Sequence, residues 1–314
     1  MKTVDLAVAW NWEYDEDFVR GICRECEKVG LSIYEVQPRN LSETIDSLQR
    51  QELSVRVFYD RASDADEAFL PLVSLLQRGS VRVINPHGLM KYAIDKATMH
   101  LELMAHGLYV PHTIILPSYN QKKEIELVSS ELERIGKPFV VKPANTTGGG
   151  TGVVLNAMMV QDIADARQEH RDDKYLLQEK VHPKDLDGRR GWFRAYYAFG
   201  EIIPCWWDDL THRYSELSYE QEDRFGLLPL RNAMQVIEHI CKLDFFSSEI
   251  VQTGDGGFVV VDYVNEICDM RLQSKYGNGA PDAVVKRIQQ LIVREVMREV
   301  GQSAEVIPAG KNPG

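Results

Sequence analysis

Between Lys137 and Val153 the chain reads KPFVVKPANTTGGGTGV, so that a short apolar strand, Phe139-Val140-Val141, delivers Lys142 into a turn carrying Gly148, Gly149, Gly150 and Gly152. Glycine frees the backbone to aim several N–H groups at one oxyanion, and a lysine adds the compact positive charge that such a loop lacks. On its residues alone the run is either a phosphate cradle or a hairpin loop with a surface lysine. It is not a Walker loop, because no Gly-Lys-Ser/Thr closes it. It is not a dinucleotide fingerprint either, because the strand-like Val153-Val154-Leu155 follows where a helix would have to start.

A second constraint comes from Glu249-Ile250-Val251-Gln252 and Phe258-Val259-Val260-Val261-Asp262, which flank the turn Thr253-Gly254-Asp255-Gly256-Gly257, a strong hairpin signal. Folding about Asp255 brings Glu249 opposite Asp262 or its neighbour. Two carboxylates across a ladder repel unless a cation, an arginine or a raised pKa intervenes. A magnesium ion shared with nucleotide phosphates suits such a pair, since Mg²⁺ is held by one or two carboxylates plus phosphate oxygens and water. The competing reading is a surface acid pair neutralised by Arg271 or Lys275. Because the two acids repel, removing either one is expected to cost the unliganded protein little.

Around these segments strands and helices alternate. Val4 to Ala9, Ser32 to Val36, Ser54 to Tyr59 and Val81 to Ile84 read as buried strands, with helical patterns near Asp15 to Lys28, Leu41 to Arg50 and Ala65 to Leu76, which predicts a parallel α/β unit. Past Pro111 the pattern predicts a strand over 112–116, a polar helix over 121–135, the glycine loop and a helix near 160–169. From Trp192 a β-rich section precedes helices near 230–241 and 282–300, the last opened by Pro281. The chain of 314 residues is long enough for two or three packed units. A net charge of −11 argues against nucleic acid or an anionic membrane as the main partner. No apolar stretch reaches the length of a membrane span, and Asp5 and Glu13 interrupt the amino terminus, so no signal peptide and a cytoplasmic location are expected. Five scattered cysteines point to reduced thiols. The pair Cys23/Cys26 lies on a helical face with Phe18, Ile22 and Val29, which favours core packing over metal or redox chemistry.

Three separated segments join the glycine loop in resembling the ATP-grasp superfamily over about residues 80–300. Asn85-Pro86, then Ile94-Asp95-Lys96-Ala97-Thr98-Met99-His100 and Gly107-Leu108-Tyr109-Val110-Pro111, resemble the family's lead-in helix, its first phosphate-contacting lysine and the approach to the central lobe. On periodicity alone, Ile94, Ala97, Leu101 and Met104 form an apolar helical face and Lys96 is a solvated lysine. Tyr175-Leu176-Leu177-Gln178-Glu179-Lys180-Val181 resembles the adenine-binding hinge, and the acidic hairpin resembles the family's metal site. The resemblance implies an N-terminal parallel α/β domain (1–92), a central subdomain with a glycine-rich lid (93–180), a C-terminal subdomain with the metal site (181–303) and a flexible tail (304–314). It implies ATP and Mg²⁺, or Mn²⁺, as cofactors. Lys96, Lys142, Gly148, Gly149, Gly150 and Thr151 would hold phosphates, Gln178, Glu179, Lys180 and Val181 the adenine, and Asp187 the ribose. Glu249, Asp262 and Asn265 would hold the metal. In the family the second acid and the asparagine stand two apart, whereas here they stand three apart. A bulge near Tyr263-Val264 would restore the geometry, and otherwise Glu266 becomes the third ligand candidate.

Strand alternation puts Arg194 on one face with Trp192 and Tyr196, so a half-buried arginine there needs an anionic partner. The resemblance makes Arg194 and Arg271 the groups that orient acyl and phosphoryl oxyanions. Trp206, Trp207, Asp208, Asp209 and His212 could line an acceptor pocket, with a capping role for Asp209 as the simpler account. The activity implied is an ADP-forming ligase that joins a small carboxylate to an amine or thiol through an acyl phosphate, a homodimer being compatible with it. The alternative is an ATP-grasp kinase acting on a hydroxyl, with Asp208, Asp209 or His212 as base. A nucleotide-binding regulator without turnover would not need both lysines and both acids.

Overall fold

The computed structural model describes residues 1–146 and 150–305, without the side chains of 302–305. It is a mixed α/β protein with one parallel and two larger antiparallel sheets. The first sheet is built from β1 (Lys2–Trp10), α1 (Glu16–Lys28), β2 (Ile33–Val36), α2 (Leu41–Gln49), β3 (Leu53–Arg61), α3 (Leu70–Gln77) and β4 (Arg82–Ile84). The strands run parallel in the order β2-β1-β3-β4. Side chains alternate across β1. Leu6, Val8 and Trp10 meet Phe18 and Ile22 of α1, while Val4, Ala7 and Ala9 meet Leu41 of α2 and Leu72 and Val73 of α3. Both faces are therefore dry, as a parallel sheet requires. The face toward α1 is completed by Ile288, Leu291 and Ile292 of the chain's last helix, which returns to this sheet from the far end of the sequence. Cys26 is buried and Cys23 half-buried in this layer, and burial pushes their thiols up to about 12 and about 11, so both stay protonated core residues. Val29, expected on the same face, is exposed because α1 ends at Lys28.

The helix expected through Ile94 to Met104 is two helices, α4 (His87–Ile94) and α5 (Lys96–Ala105). Asp95 breaks them: its backbone is extended, and its carboxylate caps α5 by accepting from the Ala97 and Thr98 N–H groups at 3.0 and 3.1 Å. The break resets the helical phase. Ala97, Met99, His100 and Leu103 turn inward, whereas Leu101 and Met104, expected in the core, are 59% and 54% exposed. Lys96, expected in solvent on periodicity alone, is buried.

The central antiparallel sheet follows, from β5 (Thr113–Leu116), α6 (Ser129–Ile135), β6 (Phe139–Pro143), β7 (Val154–Ala157), α7 (Val160–Ala166) and β8 (Tyr175–Glu179), in the order β5-β8-β6-β7. The helix expected from residue 121 starts only at Ser129. The buried Arg167 guanidinium donates to the carbonyls of Pro117, Lys122 and Lys123, and this removes the acceptors that a helix over 121–128 would use.

The last section contains a two-stranded ribbon, β9 (Asp185–Leu186) and β10 (Arg189–Arg190), then β11 (Trp192–Ala198), β12 (Glu201–Asp208), β13 (Arg213–Glu216), α8 (Tyr219–Arg224), α9 (Leu228–Cys241), β14 (Phe245–Gln252), β15 (Phe258–Asn265) and α10 (Asp282–Glu305). Its five-stranded sheet has the order β13-β12-β11-β14-β15, antiparallel throughout. Phe193, Ala195, Phe246 and Ile250 pack on α9, while Tyr196, Ala198, Cys205 and Phe245 share the core with α1 and α10. Asn85, after β4, ties the first sheet to this one: its side-chain oxygen accepts from the Asp244 and Phe245 N–H groups at 2.9 and 3.1 Å. The expected tail lies outside the described residues from 306 onward, and 304–305 still belong to α10. Among the described residues no helix is long and apolar enough to cross a membrane.

Candidate active site

The β14–β15 hairpin closes as its residues require. Gly256 takes φ +86°, and the Thr253 N–H donates to the Gly257 carbonyl at 2.9 Å. The register sets Glu249 directly opposite Asp262. The next pair is Ser247 with Asn265, two residues along β14 but three along β15, so the extra residue lies within Tyr263-Val264. Of the two outcomes that the three-residue spacing left open this is the bulge, and it returns Asn265 to the ladder beside the acids. With its amide oriented to suit its neighbours, Asn265 accepts from Arg194 Nη1 at 3.3 Å and donates to the Ile267 carbonyl at 3.1 Å. Burial pushes the neighbouring Glu266 carboxyl up to about 7.

Neither Arg271 nor Lys275 neutralises the acid pair. Arg271 bonds Asp269, and Lys275 bonds Asp17 at 2.7 Å. The cations on the acids are others. Arg194 stands directly across from Glu249 on β11, and its Nη2 donates to Glu249 Oε1. The indole N–H of Trp192 donates to Glu249 Oε2 at 2.9 Å. Arg194 also lies over the Trp207 ring at 4.9 Å, an arrangement favourable to a cation. The anionic partner that Arg194 needed is therefore Glu249 itself. On the other acid, Asp262 Oδ1 lies 3.4 Å from Lys96 Nζ. Burial pushes the Asp262 carboxyl up, but Lys96, Lys142 and Arg194 outweigh it and hold the group below the usual range, ionised.

Lys142, at the end of β6, donates to the Val261 carbonyl at 3.0 Å and sits over the Tyr263 ring at 5.2 Å. Tyr263 was not anticipated from the sequence, yet it organises this corner. Its hydroxyl accepts from Gln178 Nε2 at 2.7 Å and so turns its own proton to His100 Nδ1, also at 2.7 Å. Burial, aided by the charge on Lys142, pushes His100 down to about 4, so the ring is a neutral acceptor. Burial likewise pushes Lys142 down to about 8, with Lys96 adding to the effect and Asp262 and Glu249 opposing it. A pH dependence follows. Below pH 8 the free protein presents an ammonium to an incoming phosphate, and above it the lysine must first regain a proton. The Kd for a nucleoside triphosphate is expected to rise by up to about tenfold per pH unit above pH 8. Calorimetric titration between pH 7 and 10 checks this, and a flat profile would remove Lys142 from the binding site.

The glycine loop is anchored at its start by a residue that the sequence reading missed, Asp173. Its Oδ2 accepts from the Asn145 and Thr146 N–H groups at 2.8 and 3.0 Å. Gly148 and Gly149 lie outside the described residues. Gly150 and Gly152 take φ +83° and +70°, and Thr151 lies between them. Of the expected hinge, Glu179, Lys180 and Val181 line a cleft of about 370 Å³ whose opposite wall is Thr253, Gly254 and Val259. Gln178 does not line it, because its amide donates to Thr113 Oγ1 and Tyr263 OH. Asp187 lies in the turn of the β9–β10 ribbon and pairs with Arg224. The cap expected of Asp209 belongs to Asp208, which accepts from the Leu210 and Thr211 N–H groups at 2.9 and 3.0 Å, while Asp209 pairs with Arg190 at 2.6 Å.

Two carboxylates and an amide at one bulge are hard oxygen donors that fit a divalent cation shared with phosphates. Among the described residues no group of three or more His, Cys, Asp or Glu is placed to hold a metal ion.

No protein-family model and no curated protein matches the sequence. Solved structures do match it. A RimK-domain ATP-grasp protein from Sphaerobacter thermophilus is 20% identical, with 93% of this chain and 99% of that one covered and a TM-score of 0.61. D-alanine–D-alanine ligase from Bacillus anthracis, complexed with ATP, is 14% identical over 95% and 99% of the two chains, with a TM-score of 0.64. The ATP-grasp ligase PsnB, complexed with a minimal precursor, Mg and ADP, is 15% identical over 95% and 98%, with a TM-score of 0.60. Likeness at such identities speaks for the fold: with its parallel sheet, its two larger antiparallel sheets and the paired carboxylates in this order along the sequence, the chain has the ATP-grasp fold.

Proposed function

We propose that the chain is an ADP-forming ligase that joins a small carboxylate to an amine or thiol through an acyl phosphate. The observation that carries this reading is the row of charges across the sheets. Glu249 and Asp262 face each other, and Arg194, Lys96 and Lys142 converge on them from β11, α5 and β6. So many cations around two acids make a site ready for a more highly charged anion than the acids alone. In this reading Lys96, Lys142 and the loop at Gly148 to Thr151 hold phosphates, and Glu179 to Val181 border the base. Asp187 is the ribose candidate. Glu249, Asp262 and Asn265 hold Mg²⁺ or Mn²⁺, which when bound would neutralise phosphate charge. The division into units at 1–92, 93–180 and 181–303, and a cytoplasmic location, belong to the same reading.

The chemistry asked of the residues is positioning and charge neutralisation. A carboxylate oxygen attacks the terminal phosphorus, the bond to the bridging oxygen breaks, and ADP leaves. An amine or thiol then attacks the acyl carbon and phosphate departs with the electron pair. An incoming oxyanion competes with Glu249 for Arg194, whose second Nη already reaches Asn265. Arg271 supplies a further positive charge. The kinase alternative needs a free base; Asp208 and Asp209 are committed to local partners, which leaves it His212, stacked on Trp207 at 5.7 Å.

Hydroxylamine offered with ATP, Mg²⁺ and a panel of carboxylates tests the reading. A ligase is expected to give a hydroxamate together with ADP and free phosphate. A phosphate ester recovered intact, with ADP but no free phosphate, would sink the ligase assignment and leave the fold standing.

A further inference from the structure

Trp12 and Tyr14 follow the carboxyl end of β1, where ligands of open parallel sheets gather. Their rings lie 5.2 Å apart, and the residues are 39% and 36% exposed. Tyr276, from the loop between β15 and α10, meets Tyr14 edge-on at 5.4 Å. Arg271 lies over all three rings, its Cζ 5.8 Å from the Trp12 and Tyr14 centroids and 5.4 Å from that of Tyr276. Arg271 Nε and Nη2 donate to Asp269 Oδ2 at 2.9 and 2.6 Å. Its Nη1 donates to nothing among the described residues. The loop that carries it is fixed: a Cβ on Gly279 would come within 2.4 Å of the Arg271 carbonyl oxygen, and Lys275 is tied to Asp17.

A guanidinium held by a carboxylate through Nε and Nη2 and surrounded by rings, with Nη1 unbonded, is a preorganised donor for a second carboxylate. A cationic ligand would meet the charge of Arg271. A small anion would satisfy Nη1 yet leave two adjacent aromatic rings more than a third exposed, whereas a ligand with its own ring covers them. The place is continuous with the charge row, because Tyr214 joins the two. Tyr214 packs on Trp207, which stacks with Arg194, and its carbonyl accepts from Gln273 Nε2 at 2.8 Å, two residues past Arg271.

We infer that Trp12, Tyr14 and Tyr276, with Nη1 of Arg271, form the subsite that selects the carboxylate substrate, and that this substrate is a carboxylic acid carrying an aromatic ring. The inference rests on the ligase reading and narrows it.

Two arms test it. In the hydroxamate assay, L-phenylalanine and 3-phenylpropanoate are expected to exceed L-alanine and propanoate in kcat/KM by about tenfold or more. Trp12→Ala should erase that preference through KM, and Trp12→Phe should keep most of it. Equal use of both classes by the parent protein, or an equal loss for all acids in Trp12→Ala, would overturn the subsite while leaving the ligase standing. In the second arm 3-phenylpropanoate is titrated calorimetrically into the nucleotide-free protein. Binding that weakens about tenfold or more in Trp12→Ala, and is lost for 3-phenylpropanamide, supports the subsite even if no acid is turned over. Absence of binding in this arm together with no aromatic preference in the first overturns it.

Discussion

Lys142→Met is expected to lower ATP-dependent turnover by at least about 10²–10³-fold, the range seen when one donor to a developing oxyanion is removed, and to weaken ATP binding. The ammonium lies at the end of β6, where the glycine loop begins, with Asp262 beside it and the Tyr263 ring beneath. Methionine has a similar length and no charge, so the shape is kept while the phosphate loses its partner. The unliganded fold should not suffer. Burial already disfavours the lysine's charge, pushing it down to about 8, and an apolar side chain meets no such opposition. ADP release, an ATP titration and a thermal melt together check this. Turnover and affinity equal to the parent would mean that Lys142 faces no phosphate, and a collapse in melting temperature would mean that its bond to Val261 is structural.

What could be read in the sequence and what could not divide along physical lines. The parallel sheet was legible because its strands are continuous apolar runs buried on both faces, as Leu6, Ala7, Val8 and Ala9 show. The acid pair was legible to within one residue, because a glycine turn sets the register of a hairpin, but the shift between Ile250 and Glu249 that selects Asp262, and the bulge that was one of two ways to meet the step to Asn265, came only with the structure. Lys96 was misjudged on periodicity because one capping aspartate, Asp95, resets the helical phase, and caps outweigh apolar spacing at a helix start. The missing helix over 121–128 has a partner that no local reading finds, Arg167, more than forty residues away. Gln178 and Tyr263 likewise meet only in three dimensions. The contact of Arg194 with Glu249 was half legible: its place on the strand required an anionic partner, but nothing local said that the same carboxylate already considered for a metal would supply it.

That contact splits two mutations that the repulsion argument had treated alike. Glu249→Ala and Asp262→Ala are both expected to abolish Mg²⁺-dependent turnover, since in the ligase reading each removes one of the two carboxylates that hold the metal. Their effects on the unliganded protein should differ. Glu249 is not only repelled by Asp262; it is the counter-charge of an arginine whose side chain is 14% exposed, and it accepts the Trp192 indole N–H. Truncating it leaves a buried guanidinium with no carboxylate bonded to it, only Asp262 acting from farther off, a defect that costs about 3–5 kcal/mol. Asp262 is a third exposed on its side chain, so water can take its place beside Lys96, and Lys142, which burial already pushes down and Asp262 no longer holds up, gives up its proton more readily. Its removal should therefore cost distinctly less. Urea melts of the two variants without nucleotide measure the difference directly, with Glu249→Gln as the control that loses the charge and keeps the shape. Small and equal losses in both alanine variants would return the acids to simple mutual repulsion and deny Arg194 its place on Glu249. Mg²⁺-dependent turnover surviving in either would remove that acid from the metal set, whatever the melts show.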